Sequence, residues 1–371
     1  MIRVLHTIET HGPGGAESVI LTIASKLDHY NFESFGFFIK NGWIVDNFKR
    51  KNIQVRVSQN KYYLDVPLLK DLIMYIIKHK INIIHSHEFT MSFYSTLVAK
   101  ITNIKCVTTI HGNKDYIMEK MTRKLIMKFI AYNSYIVTVS NELKNWLHKT
   151  IKIPENKIKL IFNGVDTKKF NNDESKKLLY KKSLCDELKI TDKSIIISNV
   201  ARLYEVKGHK YLIDAASLVL KKYPDVHFMI AGDGPEKHKI QKMIKERKIS
   251  KNFHLLGERS DIPKILSASD IYVLSSLSEG LSLSILEAMA CGLPIIATDV
   301  GENSKLIFKN ENGYLVPPQN PIALANKIKY LIKNKEKRKN FGIKSRTIVE
   351  KKFNQDIMVN KYAELYKKLS Y

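Results

Sequence analysis

Residues 271–290 read IYVLSSLSEGLSLSILEAMA. Ile271-Tyr272-Val273-Leu274 is a short apolar run rich in strand formers, and it reads as a buried strand. A serine-rich turn around Gly280 follows, and the stretch 283–290 then carries apolar residues at helical spacing. A strand, a turn and a helix in close succession make half of a βαβ unit, the building block of parallel sheets.

The same alternation extends outward in both directions. In the second half the spacing predicts further strands at 195–200, 227–231, 253–255 and 295–298, with helices at 209–221 and 283–290. The first half repeats the scheme, with strands at 2–8, 35–39, 53–57, 83–86, 106–110 and 136–139 and helices at 16–27, 68–79 and 92–101. Between the halves, Asn163-Gly164-Val165-Asp166 is a turn signal, and the Lys-rich stretch 167–182 loses apolar periodicity, which marks a hinge. The tail 321–371 reads as helices broken near Phe353-Asn354. The expected organisation is α/β, with two Rossmann-like, doubly wound parallel-sheet domains facing a central cleft. Residues 1–165 form the first, with a final helix at about 354–371 crossing back to it, and residues 166–353 form the second. A chain of 371 residues suits two such domains. Open sheets of this kind bind ligands outside the carboxyl ends of their strands.

Net charge is +25, which invites nucleic acid, a membrane surface or phosphorylated substrates. Residues 1–165 carry 23 basic and 12 acidic residues and residues 166–371 carry 38 and 24, so the surplus is spread through both halves and forms no basic tail. The abundance of Lys, Asn and Ile is equally the mark of an AT-rich coding sequence. Cys106, Cys185 and Cys291 are far apart, odd in number and without a CxxC pair, which argues against a disulfide framework or a zinc finger and for the reducing cytosol. No apolar run approaches the ~20 residues of a spanning helix, and the opening Met1–His6 reads as a strand rather than a signal peptide.

Three motifs fall at strand ends. Gly12-Pro13-Gly14-Gly15-Ala16-Glu17 follows the first strand, where glycines permit close backbone approach and a helix N-terminus favours an anion. A dinucleotide fingerprint from Gly12 would need glycine where Glu17 stands. A tight turn without a ligand is the plain alternative. Arg202 and Lys207-Gly208 follow the strand 195–200, and a guanidinium and an ammonium there suit a diphosphate, neutralising it as it leaves without a metal. A solvated loop of charges is the alternative. Glu279 and Glu287, with seven residues between them, flank a glycine turn entering a helix. The amides of Leu281, Ser282, Leu283 and Ser284 would form an anion nest, and the carboxylates suit sugar hydroxyls. Glutamates favoured at a helix start by its dipole are the alternative.

No P-loop, HExxH, GxSxG or metal-holding DxD pair is present. His85-Ser86-His87 puts two imidazoles on one face of a strand end, but no third metal ligand is evident nearby.

In their order and spacing these residues resemble the retaining glycosyltransferases of family 4, which have the GT-B fold. The resemblance runs over nearly the whole chain: Gly14-Gly15-Ala16-Glu17, His111-Gly112, Val139-Ser140, Asn163-Gly164-Val165-Asp166, Ala201-Arg202-Leu203 with Lys207-Gly208, Ala231-Gly232-Asp233-Gly234-Pro235, Leu256-Gly257, Glu279-Gly280, and Glu287-Ala288-Met289-Ala290-Cys291-Gly292-Leu293-Pro294. It implies a nucleotide-sugar donor, a uridine diphosphate sugar by family frequency, and neither cofactor nor metal. By the same resemblance, Arg202 and Lys207 hold the diphosphate with Gly14 and Gly15 nearby. Glu287 accepts from the ribose, and Glu279 contacts the donor sugar within a turn of Gly280, Leu281, Ser282 and Leu283. His111 sits beside the reacting sugar, so His111, Glu279, Arg202 and Lys207 form the catalytic set. The stretch 253–259, including Leu256, borders the base, and Glu17 and His87 lie on the acceptor side. Ser282 departs from the family's frequent Pro, Gly or Phe neighbours in this turn; it keeps the amide but bears on sugar choice.

The resemblance also implies a saccharide or lipid-linked acceptor and a place in bacterial surface-polysaccharide synthesis, such as capsule or O-antigen. The expected location is cytoplasmic, with peripheral contact to an anionic inner membrane face. The segment 116–130 fits such contact if helical, with Met118, Met121, Leu125 and Phe129 on one face and Lys120, Arg123, Lys124 and Lys128 around the rest. A core helix with a solvated basic face is the alternative. Three rival functions stay open. A GT-B-shaped nucleotide-sugar epimerase would release free epimer from donor alone. A basic nucleic-acid-binding protein would show salt-sensitive oligonucleotide binding, though no motif here interleaves aromatics with basic residues. An NAD-dependent dehydrogenase is disfavoured by Glu17.

Overall fold

The structure is a computed structural model that describes residues 1–58, 65–112 and 114–370. The chain divides into two compact units, Met1–Gly164 with Gln355–Tyr371, and Val165–Asn354.

The first unit carries seven strands: β1 (Ile2–Ile8), β2 (Phe32–Phe38), β3 (Gln54–Val57), β4 (Ile83–His87), β5 (Lys105–Ile110), β6 (Tyr135–Thr138) and β7 (Ile158–Leu160). Every pairing is parallel and the order is β3-β2-β1-β4-β5-β6-β7. Parallel strands covered by helices on both faces are buried on both, and β1 and β4 are buried along nearly their whole length, with apolar residues giving way to His6, Thr7, His85, Ser86 and His87 towards their carboxyl ends. The second unit has six: β8 (Ile195–Val200), β9 (Val226–Ala231), β10 (Phe253–Gly257), β11 (Ile271–Leu274), β12 (Ile295–Thr298) and β13 (Gly313–Val316). They too are all parallel, in the order β10-β9-β8-β11-β12-β13. Both orders are the doubly wound arrangement, which reverses direction between β1 and β4 and between β8 and β11. Ligands enter such sheets at those reversal points, outside the carboxyl ends.

The helix Gln355–Ser370 lies in the first unit, burying Met358, Val359, Tyr362, Tyr366 and Leu369, with Lys26 paired to Asp356 at 2.7 Å. In the second unit, Arg346 donates to the carbonyls of Thr167 at 2.9 Å, Phe170 at 2.7 Å and Ala290 at 2.5 Å. It thereby ties the segment after Val165 to the carboxyl end of the helix Leu283–Ala290.

The structure corrects three expectations. The stretch 167–182 is not loop throughout, because the helix Glu174–Leu188 begins within it. Asp173 caps that helix, accepting from Ser175 N at 3.1 Å, and only Leu184 and Cys185 are buried on it. Leu178 and Leu179 stay 72% and 65% exposed, so its apolar residues form no single stripe and the period is hidden. The segment 116–130 is two helices, Lys114–Met118 and Met121–Asn133, broken at Glu119-Lys120. Ile117, Met127 and Ile130 turn into the core, and Phe129 packs on Phe93, leaving Met118, Met121 and Leu125 outside. The strands β7 and β13 add one edge to each sheet beyond those expected.

Candidate active site

The second unit gathers its candidates at the β8/β11 reversal. Arg202 stands two residues beyond β8, with its side chain exposed and no carboxylate partner among the described residues. Its backbone is pinned from below, since buried His209 donates from Nε2 to the Arg202 carbonyl at 3.1 Å. Gly208 (φ +62°) brings Lys207 against β11, where any Cβ would run into the Ser275 carbonyl. Lys207 Nζ then meets Glu279 Oε1 at 2.8 Å, and Ser276 Oγ donates to the same oxygen at 2.6 Å. Glu279 Oε2 has no hydrogen bond from a described residue. Gly301 (φ +56°) supports this loop from behind, with no room for a side chain beside the Glu279 carbonyl.

The helix Leu283–Ala290 follows, capped by Ser282, whose Oγ accepts from Ile285 N at 3.4 Å. The amides of Leu281, Ser282, Leu283 and Ser284 find no acceptor among the described residues, so they remain available to an anion. A chain of hydroxyls orders this turn: Tyr272 OH donates to Ser284 Oγ at 2.7 Å, and Ser282 Oγ lies 3.2 Å from Ser284 Oγ. Glu287 is half-buried and no described residue hydrogen-bonds its carboxylate. Burial pushes its carboxyl up to about 7, with Lys169 opposing. Leu256 is half-buried on β10 and packs towards Leu184, Ile196 and Met229. Arg259 is committed to Asp261 at 2.7 Å and Glu187 at 2.5 Å.

The first unit gathers a different set at the β1/β4 reversal. Gly14 and Gly15 open the helix Gly15–Lys26, and the carboxylate of buried Glu17 folds back against Gly14. Glu9 caps the helix Phe89–Thr102, accepting from Thr90 N at 2.6 Å. His87 ends β4 fully buried, with Nδ1 at 2.8 Å from Nε2 of half-buried His111. His85 is fixed on both nitrogens, by Thr109 Oγ1 at 2.8 Å and by Tyr366 OH at 2.5 Å, and Tyr362 OH lies 3.1 Å from Thr109. Desolvation lowers all four imidazoles here: His6 to about 3, His111 to about 4, and His85 and His87 well below the usual range. They are neutral at physiological pH. No group of three or more His, Cys, Asp or Glu is placed to hold a metal ion among the described residues.

Sequence reading missed Ser276, His209, Lys169 and the tyrosines of the last helix. Ser276 lay within a motif loop and His209 directly after Lys207-Gly208, so both carried a local signal. Tyr362 and Tyr366 lay some 280 residues from His85 and carried none.

The family profile described as "Glycosyl transferases group 1" matches residues 181–348, and that of "Glycosyltransferase Family 4" matches residues 13–169. An Escherichia coli UDP-Gal:alpha-D-GlcNAc-diphosphoundecaprenol alpha-1,3-galactosyltransferase is 31% identical over 261 residues, covering 68% of this chain and 66% of that enzyme. An uncharacterized glycosyltransferase of Methanocaldococcus jannaschii is 30% identical over 78% of this chain and 76% of its own length. The crystal structure of Anabaena HepE in complex with UDP-glucose superposes with a TM-score of 0.89 over the whole of both chains at 21% identity, a likeness of fold, which is GT-B. With two profiles spanning its two units and relatives of this kind, the chain belongs to the family 4 glycosyltransferases of group 1 type.

Proposed function

We propose that this glycosyltransferase moves a sugar from a uridine diphosphate sugar to a saccharide or lipid-linked acceptor, with retention of configuration and without a metal. The observation that carries the reading is the set of unsatisfied groups at the β8/β11 reversal: the Arg202 guanidinium, the four amides of residues 281–284, Glu279 Oε2 and the Glu287 carboxylate. Cations and amides suit a diphosphate, and carboxylates without protein partners suit hydroxyls. The E. coli relative, which acts on UDP-Gal and a diphosphoundecaprenol-linked sugar, supports both the donor class and a lipid-linked acceptor.

In the proposed reaction the bond from the anomeric carbon to the diphosphate breaks, and its electron pair goes to the phosphate oxygen. Arg202, Lys207 and the amides stabilise that charge where it develops, the task a metal performs in other transferases. The acceptor oxygen forms the new bond on the same face, and its proton passes to the departing phosphate. Glu279 orients the sugar hydroxyls through Oε2 while Lys207 and Ser276 hold Oε1. Glu287 accepts from the ribose, Gly14 and Gly15 approach the phosphates, Leu256 borders the base, and His111 donates to the reacting sugar. Glu17 and His87 belong to the acceptor side. The chemistry is tested by release of UDP from a panel of UDP-sugars in chelator with polyprenyl-diphosphate-sugar acceptors. Free epimer formed from donor alone would overturn it in favour of an epimerase.

We also propose a place in surface-polysaccharide assembly and peripheral contact with an anionic membrane. Met121 and Leu125 are 68% and 59% exposed one turn apart, beside Lys120, Lys124 and Lys128. Arg123 is not part of that basic set, because it sits 3.6 Å over the Tyr116 ring and pairs with Glu119. Among the described residues no helix is long and apolar enough to cross a membrane. Co-sedimentation with phosphatidylglycerol vesicles at low salt is expected for the wild type and reduced in Met121→Ser/Leu125→Ser. Absence of binding at low salt overturns the proposal.

A further inference from the structure

The hydrogen bond between His87 and His111 constrains which nitrogen of His111 carries a proton. Both rings are neutral, so across the 2.8 Å contact one nitrogen donates and the other accepts. The ring planes lie within 19° of each other, with centroids 5.1 Å apart. His87 is fully buried and its second nitrogen, Nε2, has no partner among the described residues. Were Nδ1 of His87 to accept, its own proton would sit on Nε2 as a buried N–H with nothing to receive it. Orphaned buried donors are rarer in proteins than under-satisfied acceptors. The alternative leaves only a bare lone pair there.

We infer that His87 is a positioning residue that donates from Nδ1 to Nε2 of His111 and so fixes His111 as the Nδ1–H tautomer. His111 then presents an N–H to its surroundings and has no free lone pair, since Nε2 is engaged and no described residue bonds its Nδ1. It can donate to an oxygen of a sugar or phosphate. It cannot take a proton from an acceptor hydroxyl, which removes it as general base and agrees with transfer of that proton to the leaving phosphate.

The orientation of His87 is itself held in place. The His85 ring lies 4.1 Å from that of His87, and His85 is locked by Thr109 and by Tyr366 from the last helix. The relay from Tyr366 through His85 and His87 thus joins the carboxyl-terminal helix to half-buried His111, just past the carboxyl end of β5. The catalytic meaning rests on the role assigned to His111 above, whereas the tautomer does not.

The test is nitrogen-15 NMR of the full chain labelled in its histidine rings, with His111 assigned by the signal lost in His111→Asn. Wild type is expected to show a protonated Nδ1 and an unprotonated Nε2 at His111, unchanged between about pH 6 and about pH 8. His87→Asn, whose carboxamide N–H can stand where Nδ1–H stood, is expected to keep that pattern. His87→Leu, apolar and of similar bulk, is expected to lose it, giving a mixture of tautomers. A protonated Nε2 at His111 in the wild type, or a pattern unaltered in a folded His87→Leu, overturns the inference. Because none of these signals needs a donor sugar, failure here is distinct from failure of the transferase reading.

Discussion

At the carboxyl ends of β8 and β11 the candidate groups are charged or strongly polar: Arg202, the Lys207–Glu279 pair, Glu287 and a row of bare amides. At the corresponding ends of β1, β4 and β5 the imidazoles are neutral: His85 is tied to tyrosine and threonine hydroxyls, His87 and His111 to each other, and His6 to no described residue. The carboxylates beside them, Glu9 and Glu17, are turned onto the Thr90 and Met91 amides and against Gly14. One strand order therefore carries two chemistries. The charged edge suits a leaving diphosphate, on which charge grows during reaction. The neutral edge suits hydroxyls, which need fixed donors and acceptors and no ionic field. The fold supplies only the place, and the residues just past each strand supply the chemistry.

The largest test of this contrast lies on the charged edge. Arg202→Ala is expected to lower kcat by roughly 10²–10³-fold with little change in melting temperature, because the side chain is exposed and has no carboxylate partner among the described residues, only the Tyr204 ring 5.5 Å away. Lys207→Ala should lose activity and stability together, since it strips Glu279, only 8% exposed, of its cation. Steady-state kinetics with thermal melting separates the two, and an equal stability loss in both would blur the distinction.

The neutral edge should respond to acid. A buried histidine whose folded value is depressed gives stability that is complete above the unfolded value and declines as pH falls through it, by about 1.4 kcal/mol per pH unit. His6, lowered to about 3 and without a partner on either nitrogen among the described residues, is the clearest case. His6→Phe is expected to recover about 2 kcal/mol at about pH 5 relative to pH 7. Identical pH dependence in both proteins would contradict a neutral His6.

Glu287 should respond in the opposite direction. Its raised value, about 7, means the folded state holds the proton more tightly, so its ionisation opposes folding as pH rises from the ordinary carboxyl range towards 7. In the proposed role Glu287 holds the ribose hydroxyls, and the ionised carboxylate is the stronger acceptor for them. Affinity for UDP-glucose, whose diphosphate diester does not titrate here, should fall about tenfold (1.4 kcal/mol) from about pH 8 to about pH 6. In Glu287→Gln that slope should vanish, as calorimetry would show. The smallest effect concerns the relay: Tyr366→Phe removes one hydrogen bond to His85 and should cost about 1 kcal/mol in denaturant melts.

Much of this was legible before the structure. The charged edge consists of short motifs, each contiguous or nearly so, which is why Arg202, Lys207, Glu279 and Glu287 could be singled out from spacing alone. The neutral edge was barely legible. His87 and His111 are 24 residues apart and Tyr366 lies 281 from His85, so only tertiary folding brings them together. Likewise β7 has three residues and β13 begins with glycine, both too short for a period to show. The helix Glu174–Leu188 was hidden by its exposed leucines.

The most direct measurement is the melting temperature of the wild type and of Glu287→Ala with UDP-glucose and other UDP-sugars, in the presence of chelator. A ligand that binds only the folded state adds about 2.7 kcal/mol at a hundredfold excess over its Kd. A chelator-resistant rise with at least one UDP-sugar, diminished in the variant, is expected. No rise with any nucleotide sugar, and stabilisation by an oligonucleotide instead, would contradict it.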